Sequence, residues 1–145
     1  MNEEARNLYF SLKSIFLHID CQEKGLLAEF DLTVPRFYIL MHLNDHPGLN
    51  SIELSDLMLC SKGNISRVVR AMQDENLLTR QINATDHRSY HLYLTQKGLE
   101  LFKEVNAAYQ KHIDELLAKL PEDQLSTYSA VSNHLEKAFA PADLS

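Results

Sequence analysis

Apolar residues near the start of the chain recur at helical spacing. Leu8, Leu12, Ile15, Phe16 and Ile19 mark one face of a helix, and Tyr9, Phe10 and Leu17 widen that face beyond what a single core contact requires. Such a helix is expected to have two neighbours. Thr33 is placed to cap a second helix with Pro35 in its first turn, and the apolar run 37–43 ends before His46-Pro47-Gly48, a stop signal. Asn50 followed by Glu53 resembles a capping box and opens a short helix from Ser51 to Met58 in which Ile52, Leu54, Leu57 and Met58 are apolar. That helix is expected to end near Leu59.

Ser61 then stands where an N-cap belongs, and Ile65, Val68, Val69 and Met72 follow at i, i+3, i+4 and i+7, which predicts one buried stripe. The opposite face carries Gly63, Arg67, Arg70 and Asp74. Two helices joined by a few residues, the second exposing arginines, is the pattern of a DNA-reading helix-turn-helix. After Asn76 the period changes: Leu78–Ile82 and Tyr90–Leu94 are short β-favouring runs separated by a polar connector, and they predict a hairpin. Thr95 is placed to cap a long helix marked by Phe102, Val105, Tyr109, Ile113, Leu116 and Leu120. Pro121 interrupts it, and Leu125, Tyr128, Val131, Leu135 and Phe139 mark a last helix. The predicted fold is mainly α with a small β-hairpin wing: a winged helix-turn-helix over residues 33–95, flanked by N- and C-terminal dimerisation helices in residues 1–32 and 96–145.

Composition changes this picture in one respect. At 145 residues and 45% hydrophobic, the chain is the size of one domain. It contains no run of about 18 uncharged apolar residues, and it begins acidic, so no membrane association and a cytoplasmic location are expected. The net charge of −6 argues at first against a polyanionic partner. Between Lys62 and Lys97, however, six Lys or Arg face three acids, a local +3 that leaves −9 elsewhere. A basic module in an acidic body suits a protein that turns one surface to phosphates.

Several stretches then carry a family resemblance. Leu54-Ser55-Asp56-Leu57, Ser61 through Val69, Leu77-Leu78-Thr79-Arg80, Asp86-His87-Arg88-Ser89 and Leu92-Tyr93-Leu94-Thr95-Gln96-Lys97-Gly98 together resemble the multiple-antibiotic-resistance regulator (MarR) family of winged-helix repressors and activators. The resemblance spans nearly the whole chain, and the D-x-R wing signature followed by L-T-x-x-G is its most specific part. It implies a homodimer with interlocked terminal helices, recognition helices in successive major grooves of double-stranded DNA and wings in the flanking minor grooves. It also implies a small aromatic or phenolic effector entering a crevice between the dimer helices and the DNA-binding lobe, on helices that carry Phe16, Phe37 and Tyr38.

The candidate DNA-contacting residues follow from position and chemistry. Arg67 and Arg70, three apart, share a helix face from which a guanidinium reaches guanine O6 and N7 or a phosphate. Ser61 and Lys62 at the helix start are expected to meet phosphates, aided by the helix dipole. Asn64 and Ser66 are candidate base-edge readers. By the resemblance, Arg88 enters the minor groove, where A·T-rich segments concentrate negative potential; Asp86, repelled by phosphate, is expected to orient the wing or pair with a nearby arginine. His87 departs from the family's usual basic residue, and its charge varies near neutral pH.

Other chemistry is less well supported. Cys21 and Cys60 match no zinc spacing, and Cys60 falls where an apolar residue packs, so it is expected to be buried and inert. Cys21 near the end of the first helix leaves redox sensing open, although the oxidant-sensing position of related proteins falls nearer Tyr9. His42 with His46, and His87 with His91, are pairs with ligand spacing but no adjoining acid or cysteine, so metal sensing is an alternative rather than the main reading, and no cofactor is expected. No nucleophile elbow, phosphate loop or HExxH motif is present, so an enzyme is not expected. Leu59 replaces the glycine common in the family's turn, a turn that need not be strained. The remaining alternative is a winged-helix adaptor that grips protein instead of DNA.

Overall fold

The computed structural model describes residues 2–82, 84–85 and 90–142. Its second, third and fourth helices begin at the caps read from the sequence, and its first at a cap that was not, Asn2. Helix α1 spans Glu3–Ala28, with the Asn2 side chain accepting from the Glu4 amide; α2 spans Val34–Asp45, capped by Thr33. Helix α3 covers Ser51–Met58 under an Asn50 cap, and α4 covers Lys62–Asp74 under a Ser61 cap. Each cap oxygen satisfies an amide that the first helical turn leaves without an intrahelical partner.

Strands β1 (Leu78–Ile82) and β2 (Tyr90–Leu94) pair antiparallel in the register Leu78↔Leu94 to Ile82↔Tyr90. Helix α5 (Gln96–Leu117), a 3-10 turn at Glu122–Gln124 and helix α6 (Leu125–Phe139) complete the order. The hairpin has a third, shorter edge. The Gly48 amide donates to the Leu92 carbonyl at 2.9 Å and the Leu92 amide donates to that of Leu49 at 3.0 Å, which ties the α2–α3 connection to the wing.

Helices α1, α3 and α4 end alike. The amides of Leu32, Cys60 and Leu77 each reach back to the carbonyl five residues earlier, on Leu27, Ser55 and Met72, and the residue before each adopts a left-handed conformation. Those residues are Asp31, Leu59 and Asn76, with φ of 55°, 52° and 61°. Asp and Asn tolerate this region; leucine does not, because its Cβ crowds the following carbonyl. The expectation of an unstrained α3–α4 turn is therefore corrected.

Internal contacts divide the chain into two compact units, residues 1–109 and 110–145. The first holds the core: Phe37, Ile39 and Leu40 of α2, Leu54 of α3, Ile65, Val69 and Met72 of α4, Leu92 of β2, and Phe102 and Val105 of α5 are all buried. The Phe37 ring stacks on Phe102 at 6.1 Å and meets Tyr109 at 4.7 Å. The second unit comprises the last turns of α5, the 3-10 turn and α6, whose Leu125, Tyr128, Val131 and Phe139 are exposed. Along α1 the broad apolar stripe, including Leu8, Tyr9, Phe10, Ile15 and Leu17, is also exposed. Among the described residues, no helix is long and apolar enough to cross a membrane.

Candidate nucleic-acid interface

Helix α4 is sharply two-faced. Ile65, Val69 and Met72 are buried; Arg67 and Arg70 are exposed on roughly the opposite side with Asn64 flanking them, as 100° per residue dictates, while Lys62, three residues before Ile65, is exposed because it stands in the open first turn. The Arg67 guanidinium donates to the Asn64 side-chain oxygen, so these two form one polar unit. Ser66 is half-buried at the edge of that face, and Ser61 is exposed while its hydroxyl oxygen caps the helix. Five of the six positions named from the sequence are thus exposed, Ser61 and Lys62 at the helix start and Asn64, Arg67 and Arg70 along its outer side, with Ser66 half-buried.

The far end of α4 is held by two cations. Arg36 Nη1 of α2 donates to both carboxylate oxygens of Glu75, at 2.7 and 2.8 Å, and Lys97 Nζ donates to the Glu75 carbonyl at 2.9 Å. Positive charge at a helix C-terminus is favourable to the dipole. The bonds also fix the direction in which α4 projects from α2 and α5.

The wing is anchored at its base by the L-T-x-x-G segment. Thr95 donates its hydroxyl to the Asn76 carbonyl at 2.7 Å and accepts from the Gly98 amide at 3.0 Å, while its own amide donates to Leu77. The Ser51 and Tyr90 hydroxyls lie 2.9 Å apart, and a ring nitrogen of His91 is hydrogen-bonded to the Gly48 carbonyl, also at 2.9 Å. Asp86, His87 and Arg88, named above from the sequence, lie outside the described residues.

One cation was missed in the sequence reading of the site. Arg80 of β1 lays its guanidinium 4.1 Å from the centroid of the Tyr90 ring and donates to Gln73 of α4 at 3.4 Å, which links the wing to the exposed helix. The hairpin register explains it: Arg80 opposes Leu92, so Tyr90 is its diagonal neighbour on the same face.

A crevice of about 550 Å³ opens behind this surface, between α1, α2 and the α3–α4 turn. Phe16, Ile19, Tyr38, Met41, Leu57 and Met58 supply much of its wall. Of the three aromatic residues named in advance, Phe16 and Tyr38 line it, whereas Phe37 is fully buried in the core. Cys60 also lines the crevice and is exposed, which corrects the expectation of a buried thiol: the left-handed Leu59 turns the chain so that position 60 faces outward. At the back of the crevice Glu23 accepts from the Tyr109 hydroxyl at 2.8 Å and from Tyr38 at 3.2 Å. Burial, reinforced by the bond between the two hydroxyls and by Glu23, pushes the Tyr109 phenol well above its ordinary pKa, and burial likewise raises Tyr38. Both therefore remain O–H donors at neutral pH.

Comparison with known proteins fits this geometry. Residues 30–89, from the end of α1 to the wing connector, match the model of the MarR family. The HTH-type transcriptional repressor Mb2911 of Mycobacterium bovis is 30% identical over 98 residues, covering 68% of this chain and 70% of that protein. The chain belongs to the MarR family. The MarR-family fold extends beyond the matched segment. HTH-type transcriptional regulator MhqR of Bacillus subtilis is 25% identical over 86% of both chains. The Staphylococcus aureus MepR–DNA complex superposes with a TM-score of 0.83 at 19% identity, over 90% of this chain and 97% of that one. The protein is accordingly a MarR-family transcriptional regulator with a winged helix-turn-helix, and not an enzyme. Among the described residues, no three potential metal ligands converge, and His42 with His46 find no third.

Proposed function

We propose that this protein binds a pseudo-palindromic DNA operator as a homodimer, represses transcription by occluding polymerase, and is released by a small effector in the crevice behind α4. The observation that carries the DNA reading is the exposure of Asn64, Arg67 and Arg70 on the outer side, and of Lys62 at the start, of a helix whose inner side packs in the core. In this reading Ser61 and Lys62 meet phosphates, Asn64, Ser66, Arg67 and Arg70 face base edges, and Asp86, His87 and Arg88 place the wing in the minor groove. The exposed apolar stripe of α1 and that of α6 supply the surfaces a second copy would cover. Two recognition helices then stand about one helical turn, roughly 34 Å, apart.

The test begins with selection of bound fragments from the source genome, followed by affinity measurement on the recovered operator. Arg67→Ala and Arg70→Ala are each expected to weaken binding by about 1–3 kcal/mol. Affinity should fall by orders of magnitude between about 50 and 200 mM salt if several phosphates are engaged. A protein that selects no duplex, or whose binding ignores both arginines and salt, would instead be an adaptor for another protein.

A further inference from the structure

The walls of the crevice carry charge of one sign. Asp20 and Glu23 both line it, and among the described residues no lysine or arginine does. His42, the remaining basic side chain there, is held below its ordinary pKa by burial, so it is neutral at pH 7. Lys24 pairs with Asp20 at 2.7 Å but is mostly in solvent and takes no part in the lining.

Glu23 is the unusual member. It is only 7% exposed, and among the described residues no cation pairs with it. A carboxylate offers about four acceptor sites. Tyr38 and Tyr109 have only two hydroxyl protons between them, and the two oxygens also lie within hydrogen-bond distance of each other. Acceptor capacity and negative charge are therefore left in a largely apolar crevice, where an uncompensated charge is costly. Around it stand surfaces suited to a soft cation: the rings of Phe16 and Tyr38 and the thioethers of Met41 and Met58.

We infer that the crevice selects an aromatic ligand bearing a positive charge, a lipophilic cation whose charged centre approaches Glu23 and Asp20 while its rings cover Phe16 and Tyr38. This rests on the effector reading above and narrows its chemistry: a phenolate or aromatic carboxylate would bring a further negative charge against two carboxylates.

The probes are tetraphenylphosphonium and tetraphenylborate, nearly matched in shape and apolar surface but opposite in charge. Binding to the intact protein is measured by calorimetry in sodium buffer, and operator release is measured in parallel. The phosphonium is expected to bind at least about tenfold more tightly than the borate and to release the operator. Glu23→Gln, which keeps an acceptor for both tyrosines, and Asp20→Asn should each cut that preference several-fold, while Glu122→Gln, distant in sequence and outside the lining, should not. An equal loss in Glu122→Gln would trace the preference to net charge and overturn the inference, as would a preference unchanged in both crevice variants. If Glu23→Gln fails to fold, Asp20→Asn decides alone. Should the borate bind as tightly or more tightly and release the operator, the charge assignment is wrong and the effector reading survives. Should neither ion bind while operator affinity is intact, both fall.

Discussion

The backbone of Gly98 lies so close to the carbonyl of Leu77 that a Cβ at position 98 would overlap the oxygen. The glycine of the L-T-x-x-G segment is thus a requirement of close approach: the start of α5 sits on the residue where α4 hands over to β1. Gly98→Ala must push the two apart and is expected to cost about 1–3 kcal/mol. Gly63 of α4 has open space around it, and Gly63→Ala should be neutral or stabilising by up to about 1 kcal/mol. Thermal melts of both variants without DNA would separate the cases; a Gly98→Ala protein as stable as the parent would contradict the contact.

Leu59 adopts a left-handed conformation while 79% exposed, so it carries strain without the return of burial. Leu59→Gly is expected to raise stability by about 0.5–1 kcal/mol, the relief of the Cβ clash less the greater entropy of glycine in the unfolded chain. Urea unfolding at constant m-value measures it. A loss of stability would mean that the leucine side chain has a partner that the isolated chain does not display.

Arg36 and Glu75 join α2 to the end of α4, with the arginine side chain 24% and the glutamate 46% exposed. Exposure at the carboxylate allows water and salt to screen the pair. Arg36→Ala should therefore cost only about 0.5–1 kcal/mol, less at high ionic strength. Comparing melts of the variant and the parent in dilute and concentrated salt tests both the size and its salt dependence.

His42 links stability to pH. Burial lowers its pKa in the folded protein, with Asp45 partly opposing and His46 adding to the shift. The unfolded chain then takes up the proton first as pH falls. The contribution is constant above about pH 6.5, the ordinary histidine value, and stability is lost as pH drops below it. Subtracting the pH profile of His42→Gln from that of the parent isolates this residue among the seven histidines. A flat difference from pH 8 to 5 would show that His42 titrates as in water.

The local architecture was legible because its causes are local. A cap oxygen, a buried stripe and a hairpin are decided by residues a few positions apart, so Thr33, Asn50, Ser61 and Thr95 act as the sequence indicates, and the strands fall at Leu78–Ile82 and Tyr90–Leu94. The exposure of Arg67 and Arg70 opposite the buried stripe follows from helical periodicity alone. What a side chain meets across the fold follows from no such rule. Cys60 could not be read as exposed without the handedness of the Leu59 turn, and Arg80 acquires Tyr90 and Gln73 only through strand register and the placing of α4. Glu23 and Tyr109, 86 positions apart, meet because α1, α2 and α5 converge. Periodicity told which side of α4 turns inward; only the packing of the helices decided which polar groups share the interior, and so where this regulator keeps an unneutralised carboxylate.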